Sequence, residues 1–190
     1  MGYLSREILE KMGFAELGAN VQISDKASVY NPGKIKLGSH VRIDDFCIIS
    51  AGEGGIEFGN YVHIACYVSL IGAELIRVGD YVGISSKSAV YSSSDDYSGN
   101  FLVGPTIPDQ FKNVDNRPVI FETYSLIGAG TVVLPGVTVA EGTAVGALSL
   151  VTKNLDAWGI YIGSPIKFIK PRSKAMMDFV PDLLAQENRR

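Results

Sequence analysis

The sequence predicts an all-β chain wound into a parallel β-helix of about six coils. Three observations carry this. From Leu17 an aliphatic residue returns every six positions, in LGANVQ, ISDKAS and VYNPGK, and later in FETYSL, IGAGTV and VLPGVT. Sets of three hexads restart at Leu17, Leu37, Phe58 and Val78, about twenty residues apart, and then at Phe121 and Val139. The fifth position of a hexad is small, as at Ala27, Cys47, Thr131 and Ser149.

A six-residue period matches neither the 3.6 of a helix nor the 2 of a plain strand. It suits a short strand followed by a tight turn. The lead aliphatic points into a narrow prism, and the small fifth residue faces the same crowded interior. One coil leaves its backbone N–H and C=O groups open above and below, so neighbours must stack on it at about 4.8 Å. Six coils then form a rod roughly 29 Å tall. Gly79, Gly128 and Gly142 sit at turns, where their backbone freedom is expected to be needed. A β-sandwich of short strands is the competing architecture, but eighteen hexads in register are hard to obtain by accident.

Residues 1–16 precede the repeat. Ser5 is placed to cap a short amphipathic helix over SREILEKM, with Glu7 in its first turn and Gly13 ending it. This helix is expected to cover the open edge of the first coil. The repeat proper spans 17–172 and is broken at 92–118. There YSSSDDYSGNFLVGPTIPDQFKNVDNRP shows no hexad period. Its aromatics and its prolines Pro105 and Pro108 predict an ordered ejected loop, and loops of this length in compact domains are usually functional. Residues 173–190 have helical composition at least to Pro181. They are expected to pack on the last coil or to fray, with Arg189 and Arg190 as a solvated end.

The balance of charge narrows the function. With 17 basic against 20 acidic residues the net charge is -3, which is not the basic footprint of a nucleic-acid binder. No apolar run reaches the roughly 18 residues of a membrane span, and the first residues lack a signal peptide's apolar stretch. A cytoplasmic protein is expected. Its two cysteines, Cys47 and Cys66, read as buried free thiols. Two cysteines and two histidines are too few for a structural zinc site, so no metal is expected.

The hexads resemble those of the hexapeptide-repeat acyltransferases over roughly Leu17 to Arg172. VGALSLVTKNL and YIGSPIKFIK match that family's terminal pattern. The resemblance implies a left-handed β-helix, a homotrimer, and an acyl-CoA co-substrate, most simply acetyl-CoA. Its pantetheine arm would lie along small-residue turns at Gly128, Ala129, Gly130, Gly146 and Ala147, where a thioester can approach the backbone. Thr152 and Lys153 match a phosphate-binding VTK segment, and Lys167, Lys170 and Arg172 follow as further cations for the nucleotide phosphates.

The acceptor follows from a departure. Sugar O-acetyltransferases of this family carry a loop histidine as general base, and SSSDDYSGN has none. A hydroxyl acceptor needs such help, for water itself has a pKa of about 15.7. An amine with a pKa of about 8 is already roughly a tenth neutral at pH 7 and attacks a thioester directly. A carboxylate that orients it and a backbone oxyanion donor then suffice.

A narrower resemblance agrees. VRIDDFCIIS, VHIACYVSL, ISSKSAVYSSSDDYSGN and GPTIP are similar to N-acyltransferases of dTDP-linked 4-amino-4,6-dideoxyhexoses, enzymes of surface-glycan synthesis. It implies that Asp95 holds the sugar amine and that Ser85 contacts the sugar or acyl group. Asp96, Asn100 and Lys112 would contact the nucleotide sugar. The alternative is a sugar or xenobiotic O-acetyltransferase with His63 as its base. A β-helical carbonic anhydrase would need three histidines, and only His40 and His63 are present.

Overall fold

The structure, a computed structural model, describes residues 2–187. The hexads fold as three flat faces. The first face stacks Glu16–Leu17, Ile35–Leu37, Ile56–Phe58, Ile76–Val78, Val119–Phe121 and Thr138–Val139. The second stacks Gln22–Ile23, Arg42–Ile43, His63–Ile64, Gly83–Ile84, Leu126–Ile127, Ala144–Val145 and Gly159–Ile162. The third runs from Ser28–Tyr30 through Ile48–Ala51, Ser69–Gly72, Ala89–Tyr91 and Val132–Val133 to Leu150–Val151. All these pairs are parallel, with Ile43 opposite Ile64, Ile64 opposite Ile84 and Ile84 opposite Ile127.

Six coils close, and a seventh begins where Leu155 bridges to Val139 and Gly159–Ile162 joins the second face. The chain then reverses, and Lys167–Pro171 returns antiparallel. A reversed strand cannot propagate the coil, so the stack ends there. The lead residues of the hexads fill the prism: Ile23, Ile64, Val90, Phe121, Ile127 and Val139 have no exposed surface. Cys47, Thr131 and Ser149 are buried with them. Burial pushes the Cys47 thiol up to about 11. Cys66 departs from expectation: its fifth-position counterpart would be interior, but it stands third in its hexad, at a corner, and is only half-buried.

The turn glycines divide. Gly142 has φ +66, as a left-handed corner requires. Gly79 and Gly128 do not have a positive φ, and what they need is space. A Cβ on Gly128 would sit 2.5 Å from the Ala147 nitrogen of the next coil. The left-handed corner positions are held mostly by larger residues. Asn20, His40, Tyr61, Tyr81, Tyr124 and Trp158 occupy one corner column, all at φ near +60. Their rings stack at 4.6 Å (His40–Tyr61), 5.0 Å (Tyr61–Tyr81) and 5.1 Å (Tyr81–Tyr124), and Trp158 reaches over Gly142 to Tyr124 at 6.3 Å. Stacking of about 0.5–1.5 kcal/mol per pair offsets the cost of a left-handed backbone, itself about 1–2 kcal/mol per residue.

The termini close the rod. Helix α1 (Arg6–Lys11) is capped by Ser5, whose hydroxyl accepts from the Ile8 N–H, and Gly13 ends it at φ +76. Leu9 is buried, and the Arg6 guanidinium donates to the carbonyls of Leu17 and Gly18 in the first coil. The C-terminal segment neither stays on the last coil nor frays over its described residues. A 3-10 turn at Ala175–Phe179 leads into helix α2 (Val180–Glu187), which runs back along the aromatic corner. It ends with Glu187 2.8 Å from His40 of the second coil. The physical reason is in the sequence: Phe179, Val180 and Leu183 are apolar and share one hollow with Tyr61, Tyr81 and Tyr124 of the tyrosine column. Arg189 and Arg190 lie outside the described residues.

Candidate active site

The loop leaves the prism after Ala89–Tyr91. Ser93–Ser94 pairs antiparallel with Asp115–Asn116 at its base. Arg117 clamps that base, donating two hydrogen bonds to Asp115 at 2.7 and 2.6 Å, and holds its carboxyl below the usual carboxylate range. Asp95 follows the base directly. Among the described residues its exposed carboxylate accepts one long hydrogen bond, from the Gly104 N–H 3.3 Å away. It stands between two hollows. One, of about 660 Å³, is shared with Asp96, Tyr97, Leu134, Pro135 and Thr152. The other, of about 530 Å³, is shared with Ile71, Pro105 and Lys112.

The other loop residues are less free. Asp96 accepts from the N–H and hydroxyl of Ser98 at 2.7 and 2.8 Å, so it shapes a turn. Lys112 has only 13% of its side chain exposed and bridges Asp109 at 3.0 Å. Asn100 lies on the exposed loop tip.

The small-residue corner lies between the second and third faces. Gly128, Ala129 and Gly130 of the fifth coil stand beneath Gly146 and Ala147 of the sixth. Leu148, 79% exposed, leans over Gly130, and Ile162 leans over Gly146. Lys153 and Lys167 line a hollow of about 570 Å³ at the top of the rod with Tyr161 and Phe168, and Lys170 lies on the exposed return strand. Ser85 lies two coils below Ala147 in the same corner region, and its N–H donates to the Ile127 carbonyl.

Arg172 does not stand with these cations. Its guanidinium turns into the aromatic corner and donates to the carbonyls of Tyr124 at 2.8 Å and Gly142 at 2.9 Å. Burial lowers its pKa. It therefore fastens the C-terminal segment to the rod. Arg172→Met is expected to cost roughly 3 kcal/mol, by loss of two charge-assisted bonds, and to lower the melting temperature without weakening binding of coenzyme A. Equal weakening of binding would return Arg172 to the phosphate site.

His63 projects from the second face, half exposed, with its Nε2 2.8 Å from Asp44 Oδ2. Asp44 is buried and also receives the Arg42 Nε at 2.7 Å. Burial alone would raise its carboxyl, but the bonds from Arg42 and His63 outweigh it and hold the pKa low. Neither the Asp44 pairing nor the aromatic corner was identified from sequence. Reading the hexads in columns, with fourth positions His40, Tyr61, Tyr81 and Tyr124, would have found the corner.

No protein-family profile matches the chain. Individual relatives do. A dTDP-4-amino-4,6-dideoxy-D-glucose acyltransferase of Escherichia coli is 45% identical over 178 residues, covering 94% of this chain and 93% of the relative. The chain belongs to the dTDP-amino-sugar N-acyltransferases. This acyltransferase also superposes on AntD, an N-acyltransferase from Bacillus cereus solved with dTDP and 3-hydroxybutyryl-CoA. The TM-score is 0.93 at 46% identity, over 98% of both chains. An AntD variant solved with dTDP-4-amino-4,6-dideoxyglucose and coenzyme A matches equally well, at TM-score 0.93 and 46% identity over 97% of this chain and 98% of that one. The acyltransferase is thus an N-acyltransferase of the acyl-CoA-dependent kind, and the O-acetyltransferase reading is not favoured. Among its described residues no helix is long and apolar enough to cross a membrane.

Proposed function

We propose that the chain acylates the 4-amino group of dTDP-4-amino-4,6-dideoxyglucose from acyl-CoA, in the cytoplasm and as a homotrimer, for a bacterial surface glycan. The observation that carries this is the 45% identity, over 94% of the chain, to an acyltransferase of that sugar. The amine lone pair attacks the thioester carbonyl, the C–N bond forms, the C–S bond breaks, and the coenzyme leaves as its thiol. Asp95, held by one long bond from Gly104 and flanked by two hollows, orients the amine. Ser85 contacts the sugar or acyl group from the small-residue corner. AntD has been crystallised with single substitutions at one serine and at one aspartate, each numbered one below Ser85 and Asp95, which supports both assignments.

The pantetheine arm lies over Gly128, Ala129, Gly130, Gly146 and Ala147. Lys153 and Lys167, with Thr152 and Lys170 nearby, take the nucleotide phosphates. In the trimer the loop of one subunit, with Asp95, meets the corner of its neighbour, with Ser85. Incubation with the dTDP-amino sugar and either acetyl-CoA or 3-hydroxybutyryl-CoA, followed by mass detection, tests the reading. A product heavier by the acyl group supports it and names that group. No product from either donor overturns it.

A further inference from the structure

The two hollows beside Asp95 differ in charge, and the difference selects one of them. The larger, of about 660 Å³, holds two further carboxylates, Asp96 and Asp115, and its Arg117 is already paired with Asp115. The smaller, of about 530 Å³, is lined by two titratable groups among the described residues, Asp95 and Lys112, one anion and one cation. That volume lies in the range of small-ligand pockets. Its apolar wall is Ile71, Pro105 and Val114. Ile71 belongs to the third face, paired with Ser50 below and Tyr91 above, so this part of the wall is fixed to the rod and not to the loop. Lys112 has 13% of its side chain exposed, while Asp109, its partner at 3.0 Å, is fully exposed.

We propose that the smaller hollow is the hexose subsite and that Ile71 is a specificity-determining residue in it. With Pro105, Ile71 reads the C6 methyl of the sugar, and Lys112 takes the phosphate next to the anomeric carbon. The inference deepens the N-acyltransferase reading and rests on it. A nucleotide-linked 4-amino-4,6-dideoxyhexose carries opposite charges across one ring, an ammonium on C4 and a diphosphate through C1. A hollow with one carboxylate and one lysine matches that order, whereas a hollow with three carboxylates repels the diphosphate. The methyl stands on C5, the ring carbon next to the one that bears the amine. A sugar whose amine is held at Asp95 in this hollow therefore brings its methyl to the apolar wall. In the 6-hydroxy analogue a hydroxyl takes that place, loses its water and gains no partner there. Lys112 can exchange Asp109 for a phosphate at little cost, because an ion pair with one partner fully in solvent is weak.

The test compares dTDP-4-amino-4,6-dideoxyglucose with its 6-hydroxy analogue, dTDP-4-amino-4-deoxyglucose, by kcat/KM and by calorimetry of each sugar alone. The proteins are the wild type, Ile71→Thr, Lys112→Met and Asn113→Ala, with melting temperatures as a check on folding. The wild type is expected to favour the 6-deoxy sugar by about 10²-fold. Ile71→Thr keeps a β-branched strand residue and adds a hydroxyl, so the ratio is expected to fall below about tenfold. Lys112→Met is expected to weaken binding of both sugars by about tenfold, with their ratio and the affinity for coenzyme A unchanged. Asn113→Ala, which alters the larger hollow, is expected to keep the wild-type ratio. A wild-type ratio near one overturns the inference, as does a ratio unmoved by Ile71→Thr or one that moves with Asn113→Ala instead. If Ile71→Thr does not fold, Pro105→Ser puts the same question to the same wall. A wild type that binds the two sugars in the expected ratio but acylates neither supports the subsite and refutes the N-acyltransferase reading.

Discussion

Asp95→Asn is expected to lower kcat/KM for the amino sugar by roughly 10²-fold while leaving the affinity for coenzyme A unchanged. The argument rests on what surrounds the carboxylate. Acids that serve the fold here are tied by short bonds: Asp115 to Arg117, Asp44 to Arg42 and His63, Asp96 to Ser98. Asp95 accepts one N–H at 3.3 Å and little else, although it sits just past the clamped base of the loop. A rigid mount with an uncommitted charge suits a group whose partner arrives with substrate. Asparagine keeps the shape and loses the charge that holds an ammonium. Steady-state kinetics with varied sugar, and calorimetry with coenzyme A, separate the two binding events. Unchanged kcat/KM would make Asp95 a solvated loop acid.

The prism was legible because its constraint is local and repeated. Each hexad must place one aliphatic residue inward, and Leu37, Phe58, Val78, Phe121 and Val139 announce this in a single reading of the chain. The place where the loop leaves was legible for the same reason, as a failure of the period. What escaped was set by contacts between coils. The pairing of Asp44 with His63 joins residues nineteen apart in sequence, on neighbouring coils of the second face. The run along the aromatic corner by α2 depends on a column that exists only after stacking, as does the recruitment of Arg172 to carbonyls of Tyr124 and Gly142. A tail with two lysines and an arginine looks like a phosphate site until the return strand sends Arg172 the other way. Gly79 and Gly128 illustrate the same limit, since their need for space is imposed by the next coil and not by their own φ.

The largest stability effect is expected at Phe121→Ala, a loss of about 3–5 kcal/mol. Phe121 is wholly buried in the fifth coil, between Val78 below and Val139 above. It belongs to the first strand after the loop re-enters the prism. In a solenoid each coil holds only its neighbours, so a cavity there weakens the one joint that a long insertion has already interrupted. A domain of this kind has about 5–15 kcal/mol in all, so the loss is a large share of it. Urea unfolding should show a lower midpoint with an unchanged slope, and Tyr97→Ala, at a side chain almost wholly exposed on the loop, should stay within about 0.5 kcal/mol of the wild type. A midpoint equal to that of the wild type would mean that the fifth coil is not the weak joint of the stack.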